Sequence, residues 1–149
     1  MWVKLSLDLK RPVIIHCRKA YEDLFEFMKA EGVSKYGFLL HSYGGSSEQI
    51  SKFTELGAYF SVSGNITSYQ NKKVRKNVLE FPLDRLLIET DAPSMNPWID
   101  GKKSVGINCP QNLIYVFKEL CLILQMSENE LSLILENNFK KFVGDFIRE

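Results

Sequence analysis

Three apolar runs in this chain each end in a side chain that can bind metal. They are Pro12-Val13-Ile14-Ile15-His16, Gly37-Phe38-Leu39-Leu40-His41 and Arg85-Leu86-Leu87-Ile88-Glu89-Thr90-Asp91. His41 follows His16 by 25 residues and Asp91 follows His41 by 50, one and two steps of a common period. A strand, its returning helix and two loops occupy roughly 25–30 residues, the repeat of a β/α barrel. Ligands recurring at that step, each at the C-terminal end of a buried strand, would meet at one barrel mouth, where barrel enzymes keep their chemistry. The pattern points to a metal-dependent hydrolase, much of which is missing.

The 149 residues suffice for one domain with a sizeable core, and 45% apolar with 25% charged residues describes a globular chain. A net charge of +1 gives no global attraction to nucleic acid, so any phosphate contact must be argued locally. No apolar run approaches the roughly 20 residues of a membrane span, and the N-terminal residues lack the pattern of a signal peptide. Cys17, Cys109 and Cys121 are odd in number and form no CxxC pair. Three free thiols favour a reducing compartment, cytoplasmic or nuclear.

Punctuation along the chain supports alternating strands and helices. Trp2, Leu5 and Leu9 have helical spacing, and Arg11-Pro12 stops that turn. Helical stripes follow at Tyr21, Leu24, Phe25 and Met28, then at Ile50, Phe53 and Leu56 behind a cap at Ser46 or Ser47. Val74, Val78 and Leu79 form another stripe before Pro82. Residues 92–108 read as an irregular loop. Pro110 suits the first turn of a long helix, and Ser127 with Glu130 forms a capping box for the last. Four short apolar runs alternating with helices imply parallel β/α units, and no GxGxxG marks a doubly wound sheet.

Side chains alternate along a strand, so Ile14 and His16, Leu39 and His41, and Leu87, Glu89 and Asp91 should each share the inner face. One histidine ending a strand is more often a hydrogen-bonded structural residue than a ligand. Two of them with a carboxylate, on three strands at commensurate spacing, reverse that expectation. Glu89 either holds a ligand or water, or serves as a loop and helix-dipole partner.

At Leu86-Leu87-Ile88-Glu89-Thr90-Asp91-Ala92-Pro93 the sequence resembles the TatD family of metal-dependent deoxyribonucleases. Pro12 to Arg18, His41 to Ser46 and Gly57 to Gly64 resemble further family segments in the same order. So do Asn108, Pro110 and Asn112, and the closing pair Asn138 and Phe142. The likeness runs from about residue 1 to 146. It implies a TIM-type barrel, two divalent metals (Mg, Mn or Zn) and hydrolysis of DNA phosphodiesters. It assigns His16 and His41 to one metal and Asp91 to the other. Asp91 also stands where it could take the proton of an attacking water.

The family also uses an opening His-x-His-x-Asp strand and a metal-bridging Glu, whereas this chain has two histidines in all. The expectation is therefore a single domain over 1–149, N-terminally truncated, equivalent to units five to eight of the barrel. Its inner face (Ile14, Leu39, Leu87 and Phe60 or its neighbours) should be open to water. Self-association through the open half-barrel, and little or no nuclease activity alone, follow from that picture. A non-catalytic remnant that binds metal, DNA or a partner is the competing reading. Arg18 is the candidate contact for substrate phosphate. Lys72, Lys73, Arg75 and Lys76 read as a DNA-facing or solvated basic run, and Tyr43 and Trp98 as base-stacking or packing residues.

Overall fold

The computed structural model describes residues 2–144; the ends of the sequence likeness, residues 1, 145 and 146, lie outside them. After α1 (Trp2–Leu9), four β/α units follow in order. The strands are β1 (Val13–Ile15), β2 (Phe38–Leu40), β3 (Ala58–Val62) and β4 (Leu86–Ile88). The helices are α2 (Tyr21–Glu31), α3 (Glu48–Glu55) and α4 (Lys72–Glu80), with α5 (Leu113–Leu124) and α6 (Glu128–Val143) after β4. The sheet is wholly parallel in the order β1-β2-β3-β4. No helix among the described residues is long and apolar enough to cross a membrane.

The register fixes which residues share a face. Ile14 pairs with Leu39 and Leu39 with Tyr59, while Ser61 pairs with Leu87. Phe38, Leu40, Phe60, Val62 and Leu86 point the other way, into the main core with Met28, Ile50, Phe53, Val74 and Val78. The inward residue of β3 is thus Tyr59, and Phe60 belongs to the helix side. The inner face is also less open than expected. Leu39, Tyr59 and Leu87 are buried because Phe142, at the end of α6, lies beneath the sheet with Val143 beside it. Among the described inner-face residues, Ile14 on the edge strand remains bare at 63% exposed.

Helix ends show where local signals held. Ser127 accepts from the Glu130 backbone N–H, and the Glu130 carboxylate accepts from the Ser127 backbone N–H, completing the capping box. Ser47 does occupy the N-cap of α3, but its backbone is helical and its side chain makes no cap bond. Leu79 departs from the expected stripe: Val74 and Val78 are buried, and Leu79 faces solvent. The segment read as an irregular loop contains a two-stranded hairpin, β5 (Trp98–Ile99) with β6 (Lys102–Lys103). Its turn is Asp100-Gly101, both at positive φ (50° and 74°), as a type I′ turn requires.

Candidate metal centre

The parallel strands release their chemistry at their C-terminal ends, and the chain turns sharply there. Ser42, directly after His41, has φ 43°, and Asp91 has φ 57°. Such left-handed conformations are uncommon for residues other than glycine, although aspartate tolerates them better than most. Asn108 fixes the Asp91 turn by donating from Nδ2 to the carbonyls of Thr90 and Ser94 on either side of it. Its own Oδ1 is held by Cys109 N–H and Asn112 Nδ2.

His41 is the centre of the arrangement. Its Nδ1 lies 2.7 Å from Glu89 Oε2. Because a carboxylate only accepts, Nδ1 carries the proton and Nε2 presents its lone pair. That Nε2 faces Asp91 Oδ1 at 3.4 Å, and the His16 ring lies beside it with centroids 5.5 Å apart. The other oxygen of Glu89 is fully used: it accepts from Ser42 N–H at 2.7 Å and from Ser61 Oγ at 2.7 Å. Ser61 Oγ in turn accepts from Ser42 N–H at 3.0 Å, and Ser42 Oγ meets Ser63 Oγ at 2.7 Å. Glu89 is thereby spent on orienting His41, leaving His16, His41 and Asp91 to face solvent. Sequence reasoning passed over Ser61 and Ser63. The available signal was one serine in the otherwise apolar, fully buried β3 and a second two positions on, just past its end.

Chemically, these residues fit a divalent ion. Two donors each about 2.0–2.1 Å from one tetrahedral ion stand about 3.4 Å apart, which is the His41–Asp91 separation. A histidine whose second nitrogen donates to a carboxylate is the usual metal-binding form. The arrangement is an open arc: among the described residues no three histidine, cysteine or carboxylate side chains close into a ready-made cage. An ion here would need water or further groups to complete its shell.

The neighbouring candidates divide. Arg18 is exposed just beyond His16, and no carboxylate pairs with it among the described residues. Tyr43 is withdrawn from any stacking role, since it is buried against Tyr21, Phe60 and Phe81 with its hydroxyl donated to Ser46 O. Burial pushes its phenol well above the ordinary value. Arg75 is likewise occupied, by Glu119, the Ile66 carbonyl and the Tyr69 ring. Lys73 donates to Gly44 O. Burial raises the pKa of the Cys17 and Cys121 thiols, away from the thiolate form.

A wholly parallel sheet backed by helices gathers imidazoles and carboxylates at its C-terminal strand ends, the end at which parallel α/β folds place their functional groups. The chain belongs to the TatD family: the model of TatD related DNases matches residues 2–144. An uncharacterized metal-dependent hydrolase of Buchnera aphidicola is 33% identical over 138 residues, 93% of this chain and 51% of that protein. YabD of Bacillus subtilis, named an uncharacterized metal-dependent hydrolase, is 34% identical over 140 residues, 93% of this chain and 53% of YabD. The crystal structure of the TatD homologue YjjV from Escherichia coli superposes with a TM-score of 0.81 at 29% identity. That match covers 95% of this chain and 53% of YjjV. The chain therefore spans about half the length of the curated relatives it matches.

Proposed function

We propose that this chain carries half of a two-metal hydrolase centre acting on DNA phosphodiesters, in four β/α units equivalent to units five to eight of a TIM-type barrel. The observation that carries this is His41 locked by Glu89, with its free nitrogen turned toward Asp91 beside the His16 ring. Four consecutive parallel units and the match to half of YjjV support the barrel assignment. The names of the relatives support metal dependence.

His16, His41 and Asp91 would hold the metal, of Mg, Mn or Zn type. Once bound, a divalent ion polarises a phosphoryl oxygen and lowers the pKa of its water. Asp91 would also take a proton from an attacking water. Glu89 keeps His41 in the tautomer that offers Nε2. Arg18 is free to meet a substrate phosphate at the rim. Three unpaired thiols favour a reducing cytoplasmic or nuclear setting.

Calorimetric titration with Mn²⁺ tests the centre. His16→Ala, His41→Ala and Asp91→Ala should each weaken binding by at least about tenfold, and wild-type affinity in all three would overturn the assignment. Cleavage of single-stranded and duplex DNA with Mg²⁺ or Mn²⁺ tests the activity. Residues 1–149 alone should turn over far below full-length YjjV, with the residue of activity lost in His16→Ala. A non-catalytic reading, in which the chain binds metal, DNA or a partner without turnover, is favoured by one fact: two histidines are all it has. Metal binding with no cleavage under any condition selects that reading.

A further inference from the structure

A second cavity opens on the mouth side, between the segment after β3 and the hairpin β5–β6. It has a volume of about 320 Å³, within the span of roughly 300–1,000 Å³ usual for small-ligand sites. Its walls carry the carboxamides of Asn65, Gln70, Asn71 and Asn96, the Trp98 side chain and, at the rim, Lys103. Among the described residues no carboxylate lines it. The cavity owes its form to a tight approach of two loops: a Cβ on Gly64 would lie 2.0 Å from the Met95 carbonyl oxygen. Trp98 is anchored through its backbone N–H, which donates to Thr67 Oγ1 at 2.6 Å. Asn96 is anchored by donating from Nδ2 to Ser104 O and Gly106 O, which leaves its Oδ1 unengaged among the described residues. Asn65 accepts from Ser63 Oγ at 3.4 Å through Oδ1, and its Nδ2 is likewise unengaged. Gln70 makes no side-chain bond among the described residues.

The cavity is wired to the metal centre. From Glu89 Oε1 the hydrogen bonds run to Ser61 Oγ and Ser42 N–H, and from Ser42 Oγ to Ser63 Oγ and then Asn65 Oδ1. The group that orients His41 and the wall of the cavity thus belong to one rigid network.

We propose that this cavity is a nucleobase subsite, taking the base of a nucleotide next to the phosphate under attack, with adenine preferred. Asn71 donates from Nδ2 to Asn65 O, so among the described residues Gln70 is the lining carboxamide with both atoms free, and it offers a donor and an acceptor in one plane, the pairing that reads adenine N6 and N7. An aromatic side chain supplies a stacking platform for a base. An ammonium at the rim suits the adjoining phosphate, and the absence of carboxylates spares it repulsion. The identity of the ligand as DNA rests on the function proposed above.

The test is a titration of the whole chain with deoxyadenosine 5′-monophosphate, with chelator present, followed through the side-chain amide resonances of Asn65, Gln70 and Asn71. Saturable shifts are expected, with deoxythymidine 5′-monophosphate at least about tenfold weaker. Trp98→Leu should weaken binding at least about tenfold. Lys103→Gln, an exposed change that leaves the fold intact, should weaken the nucleotide and leave deoxyadenosine unaffected. No saturable shift, an equal response to both bases, or an equal response to deoxyribose 5-phosphate overturns the subsite. Because no metal is present, the result is independent of hydrolysis. Base binding without DNA cleavage would sink the proposed activity and leave the subsite standing, and cleavage without base binding would do the reverse.

Discussion

Glu89 shows how one side chain decides what its neighbour can do. Its two oxygens take three hydrogen bonds, and the one from His41 sets which imidazole nitrogen is free. Glu89→Gln keeps the shape but can present an amide N–H to His41, favouring the wrong tautomer. Mn²⁺ affinity should fall about 10–100-fold, with His41 ¹⁵N shifts reporting the tautomer change, and Ser61→Ala should produce a smaller loss in the same direction. Asn138 is the structural counterpart. It is buried, and its Nδ2 donates to Leu83 O and Leu86 O at the entry to β4. Asn138→Ala should cost about 1–3 kcal/mol in urea unfolding by stranding two carbonyls. That His16, His41 and Asp91 would meet at one end of the sheet was legible because their spacing matched the β/α repeat. Ser61 and Ser63 were not, since a serine in a strand carries no mark of its partner until β3 and β4 are brought side by side. Tyr43 stood between base stacking and packing, and the structure decides for packing. A tyrosine beside a ligand loop looks available, and only its aromatic neighbours reveal that it is core.

At the level of elements, periodic apolar stripes located α2, α3 and α4, while end signals located α5 and α6. The short segments were harder. The hairpin β5–β6 went unread although Ile99-Asp100-Gly101-Lys102 carries the Asp-Gly turn signal, because its strands are two residues each and show no alternation. The capping box at α6 was read correctly from two residues, since both partners sit within one turn. Ser127→Ala should lower stability by about 1 kcal/mol. The Ser127 hydroxyl, and then its backbone N–H, hold the Glu130 carboxyl below the ordinary carboxylate value. A lowered folded pKa means the stabilisation is present above the unfolded value and is lost as pH falls through the folded one. Thermal melts of wild type and Ser127→Ala should therefore converge on acidification. A gap that widened toward low pH would contradict the cap.

On the scale of the whole molecule, the two sides of the sheet are unequal. The helix side is sealed, whereas β1 presents an unpaired edge beside an apolar groove of about 560 Å³ between α1 and the strand. Trp2, Leu5 and Leu9 form the expected stripe on α1, yet all three are exposed, Trp2 at 67%. Bare apolar stripes and long strand edges favour association. Residues 1–149 expressed alone should self-associate at micromolar concentration through this edge, and Ile14→Lys with Trp2→Lys should shift light scattering toward monomer. A monodisperse wild-type monomer with cooperative unfolding would exclude it. The four-unit order was legible from strand and helix alternation, but the sealing of the inner face by Phe142 was not, because that contact joins segments far apart in sequence. It has a consequence for biosynthesis. Phe142 leaves the ribosome long after Leu39, Tyr59 and Leu87, so a nascent chain holds those three unsheltered until α6 emerges. That interval is when chaperones would find it.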